Sequence, residues 1–407
     1  MTDIVHTDAV LKAAWDRYYS ELEVSRQAIE ASDQFQAVPR QRAKAYHALM
    51  EMQAMAYNFA VAPRLAHPRV FGETAWQTEI YTMGGNGPDF AYKTLFLDGK
   101  AEYRLTGNIH DSRILLAQLS GALPGSDGLK AARNYDFVDF EVKADGSFEV
   151  ALSARSQPGN WIELDPDAPY QWILFRPTVD SWESRLPELL IERTSPLAPG
   201  QYDADEFDPA AIARRLDMAT GWLRYMTNDW VINFYQRVYR NAGGPNQFKV
   251  IGKEISGEVG SPTAEYLLAA YEVNPDEALL IEMPDTPGGA YWGLQIFDVW
   301  LRSLDFRTRQ TGLNGTQIVT DSDGKVRVVL SSRDPGVANW LDAGEYDIGQ
   351  VLFRNYRTLH STEPQIHRIR FDDLGQYLPA DVARVTPEER AAEISARREA
   401  YRRRHGQ

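Results

Sequence analysis

The chain has 407 residues, with 43% hydrophobic and 25% charged residues, a net charge of −14 and an isoelectric point near 5.1. That length and composition suit a globular protein of two or three domains, and the acidic balance argues against nucleic acid or an anionic membrane as a partner. The complete lack of cysteine excludes disulfides, thiol nucleophiles and thiolate metal sites together.

In chain order, residues 8–30 predict an amphipathic helix, with Leu11, Trp15, Tyr18 and Leu22 at helical spacing. Residues 40–60 predict a second, carrying Tyr46, Leu49, Met52, Ala56 and Phe59 on one stripe. From about residue 76 the pattern changes to short runs separated by turn residues. Gly84-Gly85-Asn86-Gly87 reads as a loop needing positive φ, because Pro88-Asp89 is a poor start for a phosphate-binding helix. The segment from Ala91 to Ile109 predicts a hairpin turning at Asp98-Gly99. Ser195 to Gly200 has the composition of a linker. Residues 208–242 predict the longest helical region, capped by Asp208 and interrupted at Gly221. The last helix opens on a capping box, Thr386 to Glu389, and ends in Arg397, Arg398, Arg402, Arg403 and Arg404, which suit a solvated face.

The chain repeats itself. Asp145-Gly146, Leu152-Ser153 and Phe175-Arg176 recur as Asp323-Gly324, Leu330-Ser331 and Phe353-Arg354, all at a shift of 323 − 145 = 178. Asn160-Trp161 recurs as Asn339-Trp340, one residue out of register. The shared residues are the ones each copy needs to fold, with the asparagine bonding nearby backbone and the tryptophan plugging a sandwich end. The expected organisation is a helical region at 1–75, a first β unit at 76–200, a helical connector at 201–262, a second β unit at 263–375 and a helix at 376–407.

Residues found in one copy only are free to carry chemistry. His110 and Asp111 pair a histidine with a carboxylate, and Asp298 and Tyr356 belong to the second copy alone. These four are the catalytic candidates. Arg354 and Arg357 could hold a carbonyl or carboxylate, and Trp340 and Trp230 could form an aromatic wall, so these four are the substrate-binding candidates. His360 and His367, seven residues apart with Pro364 between them, give only weak support for a metal pair. No nucleotide-binding or hydrolase fingerprint occurs, so neither cofactor nor metal is expected.

The run Trp292 to Asp298 (WGLQIFD), Asp323-Gly324, the VVLSS strand, Asn339-Trp340-Leu341 and the closing LFRNYR resembles the bacterial family called domain of unknown function 1214. The resemblance spans about 285–360 well and 92–180 more loosely. It implies two jelly-roll-like sandwiches in tandem with helices attached, and a genomic setting among genes that degrade hydrophobic or aromatic compounds. It carries over no catalytic residue.

These observations predict an α+β fold, mainly β, of two tandem jelly-roll-like antiparallel β-sandwich units with N-terminal, central and C-terminal helices. The expected function is a metal-independent lyase, hydrolase or isomerase acting on a hydrophobic or aromatic small molecule near the junction of the two units. The alternative is a non-catalytic ligand-binding or homo-oligomer-forming protein. The first residues, MTDIVHTDAVLKAAWDRYYS, lack the pattern of a signal peptide, and no apolar run reaches the ~20 residues of a membrane span, so a cytoplasmic location is expected.

Overall fold

The computed structural model describes residues 2–72, 81–126, 132–168, 170–197, 207–250 and 263–405. The chain divides into two compact units. The first comprises Met1–Met83, Ala91–Pro177 and Leu186–Asn233, and the second Gly84–Phe90, Thr178–Arg185 and Phe234–Gln407. Two short segments from the first half of the sequence, 84–90 and 178–185, therefore belong to the second unit.

The first half of the chain supplies strands β1 (Val70–Phe71), β2 (Lys93–Leu97), β3 (Tyr103–Asn108), β4 (Ile114–Ser120), β5 (Arg133–Asp136), β6 (Ser147–Ser153), β7 (Trp161–Glu163), β8 (Gln171–Thr178) and β9 (Glu188–Arg193). They form a five-stranded sheet, β1-β2-β8-β4-β5, and a four-stranded sheet, β7-β6-β3-β9. The second half supplies β10 (Lys249–Val250), β11 (Ala264–Glu272), β12 (Glu277–Met283), β13 (Tyr291–Phe297), β14 (Gly312–Asn314), β15 (Val326–Ser331), β16 (Trp340–Asp342), β17 (Ile348–Tyr356) and β18 (Gln365–Arg370). Their sheets run β10-β11-β17-β13-β14 and β16-β15-β12-β18. Each strand of the first set has its counterpart nine strands later, at the same place in the same kind of sheet. The expected duplication and the two-unit α+β sandwich architecture are thus present.

Alternation explains the layers. In β6 the buried residues Phe148, Val150 and Leu152 enter the first core with Leu95, Leu105, Ile173 and Phe175. In the second unit Leu294, Ile296, Val351 and Phe353 from one sheet meet Leu279, Ile281, Val328 and Leu330 from the other. Strands β8 and β13 are buried along their whole length, as expected of central strands covered on both faces. In the first unit helices supply the outer cover. Phe59 stacks on Trp222 at 4.4 Å and meets Trp172 of β8 edge-on at 5.4 Å.

Both repeated asparagines work as clamps. Asn160 donates to the carbonyls of Glu141 and Glu149 at 2.9 and 3.0 Å and accepts from Glu141 N–H at 2.7 Å. Asn339 donates to Val319 and Arg327 at 2.7 and 3.0 Å and accepts from Val319 N–H at 2.9 Å. Each ties two strand approaches together through three bonds. The neighbouring indoles donate to equivalent carbonyls, Trp161 to Ser153 at 3.0 Å and Trp340 to Ser331 at 3.2 Å.

Four expectations need correction. Asp98-Gly99 does not close a hairpin: β2 and β3 lie in different sheets, so that turn crosses between layers. Gly221 does not interrupt its helix, Pro209–Tyr225. It lets the Gly125 loop approach, since a Cβ there would stand 2.5 Å from the Gly125 carbonyl oxygen. The irregular turn comes later, at Met226–Ile232. Trp15 is 55% exposed, because the helix Thr2–Ala31 buries Ala14, Glu21, Ser25 and Ile29 instead. The terminal arginines are not all solvated, as described below. The linker at Ser195–Gly200 lies partly outside the described residues.

Asn339 is buried, so Asn339→Ala strands two carbonyls and an amide and should lower stability by about 2–3 kcal/mol. Asn160 is half exposed, water can replace its bonds, and Asn160→Ala should cost less. Urea unfolding of the two variants checks the order.

Candidate functional site

The outer face of the second unit's five-stranded sheet differs in chemistry from its counterpart. On β13 the residues facing away from the core are Tyr291, Gly293, Gln295 and Phe297, and on β17 they are Ile348, Gln350, Leu352, Arg354 and Tyr356. The pairing register sets Gly293 opposite Asn314, as it sets Leu116 opposite Asp136 in the first unit. Tyr291 and Gly293 therefore stand where the first unit has Ile114 and Leu116. Tyr291 thus brings a hydroxyl where the first unit has an aliphatic side chain.

The segment Gly84–Phe90 lies on this face. Gly84 and Gly85 take the positive φ values of 95° and 84° expected from their sequence. Gly85 turns its carbonyl to the Arg354 guanidinium, which also lies 4.7 Å over the Phe90 ring. A Cβ at Gly85 would stand 3.3 Å from Arg354 Nη2. Asn86 accepts from Ser303 Oγ at 2.5 Å, and Val179 N–H donates to the Asp89 carbonyl at 2.9 Å.

These bonds place the Asp89 carboxyl inside the unit. Tyr291 Oη donates to its Oδ2 at 2.7 Å and Asn314 Nδ2 to the same atom at 2.9 Å. Burial pushes the Asp89 carboxyl above its ordinary value, against the opposing effects of Asn314, Tyr291, Arg404 and Arg397. Burial also raises the Tyr291 hydroxyl well above its ordinary value, helped by the neighbouring carboxyl. Beside the pair lies a cavity of about 10 Å³, lined by Asp89, Tyr291, Gly293, Gln295, Gly312 and Arg354 among others. It has room for about one water.

The C-terminal helix Pro387–His405 holds the segment from behind. Arg404 donates to the carbonyls of Pro88 and Ser181 at 2.7 and 2.5 Å. Arg397 donates to the Arg309 carbonyl at 2.9 Å, and both guanidinium groups stand over Trp182, at 5.1 Å for Arg397 and 5.5 Å for Arg404. Burial lowers the Arg397 guanidinium to about 10. The run of terminal arginines thus has two inward members that bind backbone oxygens, which corrects the solvated-face expectation.

The residues singled out in the sequence fall in several places. Arg354 and Tyr356 join the cluster, with Tyr356 Oη 3.0 Å from Tyr266 Oη and its ring 5.9 Å from Phe90. Asp298 is buried but caps a turn, accepting from the N–H groups of Trp300 and Arg302 at 2.9 and 3.0 Å. Arg357 has a φ of 49° at the end of β17 and donates its N–H to the Thr263 carbonyl. Trp340 lies under the Arg390 guanidinium at 5.3 Å. His110 and Asp111 occupy a turn of the first unit, where His110 Nε2 lies 3.4 Å from the Glu188 carboxylate and Asp111 is exposed. Trp230 sits in the wide turn of the first unit's central helical region. His360 pairs on the surface with Asp285 at 2.7 Å. Among the described residues no group of three or more metal-ligating side chains comes together.

Sequence reasoning missed Asp89, Tyr291 and Asn314. The signal was available in the internal comparison, since Tyr291 and Gly293 replace Ile114 and Leu116. Asp89 has no such signal, being 202 residues from Tyr291 in the chain and 225 from Asn314.

Fold and site together define a tandem β-sandwich protein with a buried carboxyl on the outer sheet face of its second unit. Residues 271–360 match the family model described as protein of unknown function, DUF1214, which bears out the resemblance seen in the sequence. Among solved structures the chain is similar to an uncharacterized protein from Burkholderia cenocepacia, at 24% identity and a TM-score of 0.75, over 90% of this chain and 99% of that one. A Vibrio parahaemolyticus protein matches at 10% identity and a TM-score of 0.43, over 70% of this chain and 90% of that one. No curated protein is matched. Among the described residues no helix is long and apolar enough to cross a membrane.

The raised Asp89 carboxyl sets a direction for stability against pH. The folded chain keeps this proton to higher pH than the unfolded chain does. The stabilisation is complete below about pH 4 and is lost as pH rises through the raised value. Asp89→Asn keeps an acceptor for Tyr291 and Asn314 and has nothing to titrate. Its denaturation midpoint should fall less than the wild-type midpoint as pH rises from 4 to 8.

Proposed function

We propose that the protein is a small-molecule enzyme of the acid–base kind, a lyase, hydrolase or isomerase acting on a hydrophobic or aromatic compound in catabolism, in the bacterial cytoplasm. The observation that carries this reading is the Asp89 carboxyl, raised by burial and set against a cavity of water size beside Tyr291 and Arg354. A carboxyl that burial makes hold its proton more tightly is suited to act as a general acid. The Arg354 guanidinium can polarise a carbonyl or steady a developing oxyanion. Of the three reaction types, the cavity's size favours those that consume a water, hydrolysis and hydration. The segment Gly84–Phe90 covers the site, so a substrate larger than water enters only when that segment opens.

The test is turnover of a panel of aromatic esters, lactones and unsaturated acids, with native mass spectrometry of the freshly purified protein to reveal a retained ligand. Asp89→Asn should lower turnover of any converted compound by about a hundredfold or more while the circular dichroism spectrum stays unchanged. Full turnover in that variant would refute the assignment.

One feature favours the alternative, a chain that assembles with copies of itself. Trp15, Tyr19, Tyr46, Met50 and Tyr57 all stand exposed on the N-terminal helical segments, Tyr19 by 68% and Met50 by 63%. Light scattering should then give a multiple of the chain mass that falls in the double variant Trp15→Ser, Tyr19→Ser. A monomer at every concentration removes this reading.

A further inference from the structure

The two copies keep the same buried pair and use it differently. The strand register sets Gln118 opposite Asn134 and Gln295 opposite Gly312, so these glutamines hold one position of the repeat, as Arg176 and Arg354 do. All four residues are at most 5% exposed. In the first unit Arg176 closes on Gln118, its Nε and Nη2 donating to Oε1 at 3.2 and 2.9 Å. In the second unit Arg354 donates instead to the Gly85 carbonyl. We infer that Arg354 is a two-position latch for the segment over the Asp89 cavity, bound to Gly85 when the segment is closed and to Gln295 when its glycine turn swings open.

The second position has its acceptor in place. Gln295 Nε2 donates to the Ile296 carbonyl and to Thr311 Oγ1, both at 3.3 Å. A carbonyl only accepts, so that bond fixes the amide with Oε1 turned the other way. Among the described residues no donor reaches this Oε1. Glycines leave it room, since a Cβ at Gly312 would stand 2.1 Å from it and one at Gly87 3.4 Å. Gln295 and Arg354 line the same small cavity. Arg354 pairs with Gly293 across the strands, and Gln295 stands two residues further along that face, a diagonal that a long side chain spans. The first unit shows the same diagonal closed at hydrogen-bond length.

The first position depends on the segment. The guanidinium has five N–H donors, and its one hydrogen bond among the described residues is to the Gly85 carbonyl. Gly85 presents that carbonyl at a φ of 84°. Further along, Arg404 binds the Pro88 carbonyl and Val179 N–H the Asp89 carbonyl, so the part able to lift is Gly84–Gly87. As that turn lifts, a buried guanidinium loses its acceptor, which is costly unless another takes over. Gln295 Oε1 is the oxygen that the matched arginine already binds in the first copy. The swing lowers the cost of opening, and closing returns the glutamine oxygen to the cavity.

Amide hydrogen exchange of the full chain tests the latch without any substrate, so its failure is separate from failure of the proposed acid–base chemistry. The Gly84 N–H donates to the Leu301 carbonyl at 3.0 Å and reports the opening. In the wild type it should exchange faster than the amides of β15 in the same unit and with little dependence on dilute urea, which marks a local opening. Gly85→Ala, strained at its positive φ and set 3.3 Å from Arg354 Nη2, should speed this exchange by about tenfold. Gln295→Met removes the Nε2 bonds from both states alike and the Arg354 acceptor from the open state alone. It should slow the exchange by about fivefold or more, whereas loss of a merely structural glutamine would speed it. Gln295→Leu serves the same comparison should the methionine variant fail to fold. The latch is overturned by wild-type Gly84 exchange that tracks global unfolding, by no acceleration in Gly85→Ala, or by a Gln295 variant that exchanges as fast as the wild type or faster.

Discussion

A sheet covered on both faces leaves its polar side chains no water, so each must find a partner within the protein. That constraint governs the five-stranded sheet of each unit, and the two units meet it in different ways. In the first unit the outer face is mainly apolar and is closed by the aromatic side chains of helices. A charged group there, Arg176, binds Gln118 at 2.9 Å and lies over Tyr92. In the second unit the face carries Tyr291, Arg354, Tyr356 and, from β14, Asn314; the segment Gly84–Phe90 supplies partners to Tyr291, Arg354 and Asn314, and Tyr356 meets the Tyr266 hydroxyl. Asp89 is the centre of that exchange. Removing Tyr291 or Asn314 would leave a buried carboxyl short of donors, so the cluster stands or falls together.

The duplicated framework shows what a sandwich of this kind needs and what it can spare. The asparagine clamp and the indole-to-carbonyl bond are the same in both copies, with bond lengths that differ by at most 0.2 Å within each matched pair of bonds. The arginine is kept but its partner changes, from a glutamine on the neighbouring strand to a carbonyl of the covering segment. Framework bonds close within a copy, so each copy preserves them. Face residues answer to whatever lies above them, so they diverge.

That difference also explains what could be read from the sequence. The duplication, the two-unit sandwich architecture and the capping box follow from local pattern and from the repeat, and they are present. The Thr386 N–H indeed donates to Glu389 at 2.8 Å, with the return bond at 3.2 Å. Tyr356 stood out because it replaces Thr178 at a known shift, whereas Arg354 recurs from Arg176. Asp298 was not readable as a turn cap, since a carboxylate after a strand looks the same whether it meets backbone or ligand. Asp89 was invisible because its environment is built by residues more than two hundred positions away. Arg397 and Arg404 were misread because a run of arginines at a helix end gives no sign of which members turn inward.

The segment Gly84–Phe90 also bears on how the protein is made. Its carbonyl at Pro88 is bound by Arg404, 316 residues further on. At the usual pace of synthesis, about 5–20 residues per second, that partner follows about 15 to 60 s later. For most of that interval the aspartate, the phenylalanine and the paired glycines of the segment wait for the sheet they are to cover, whose last strand ends at Tyr356. The first copy of the sandwich can close around its own strands in that time. The second is completed last, since the arginine that holds the segment's Pro88 carbonyl lies on the final helix.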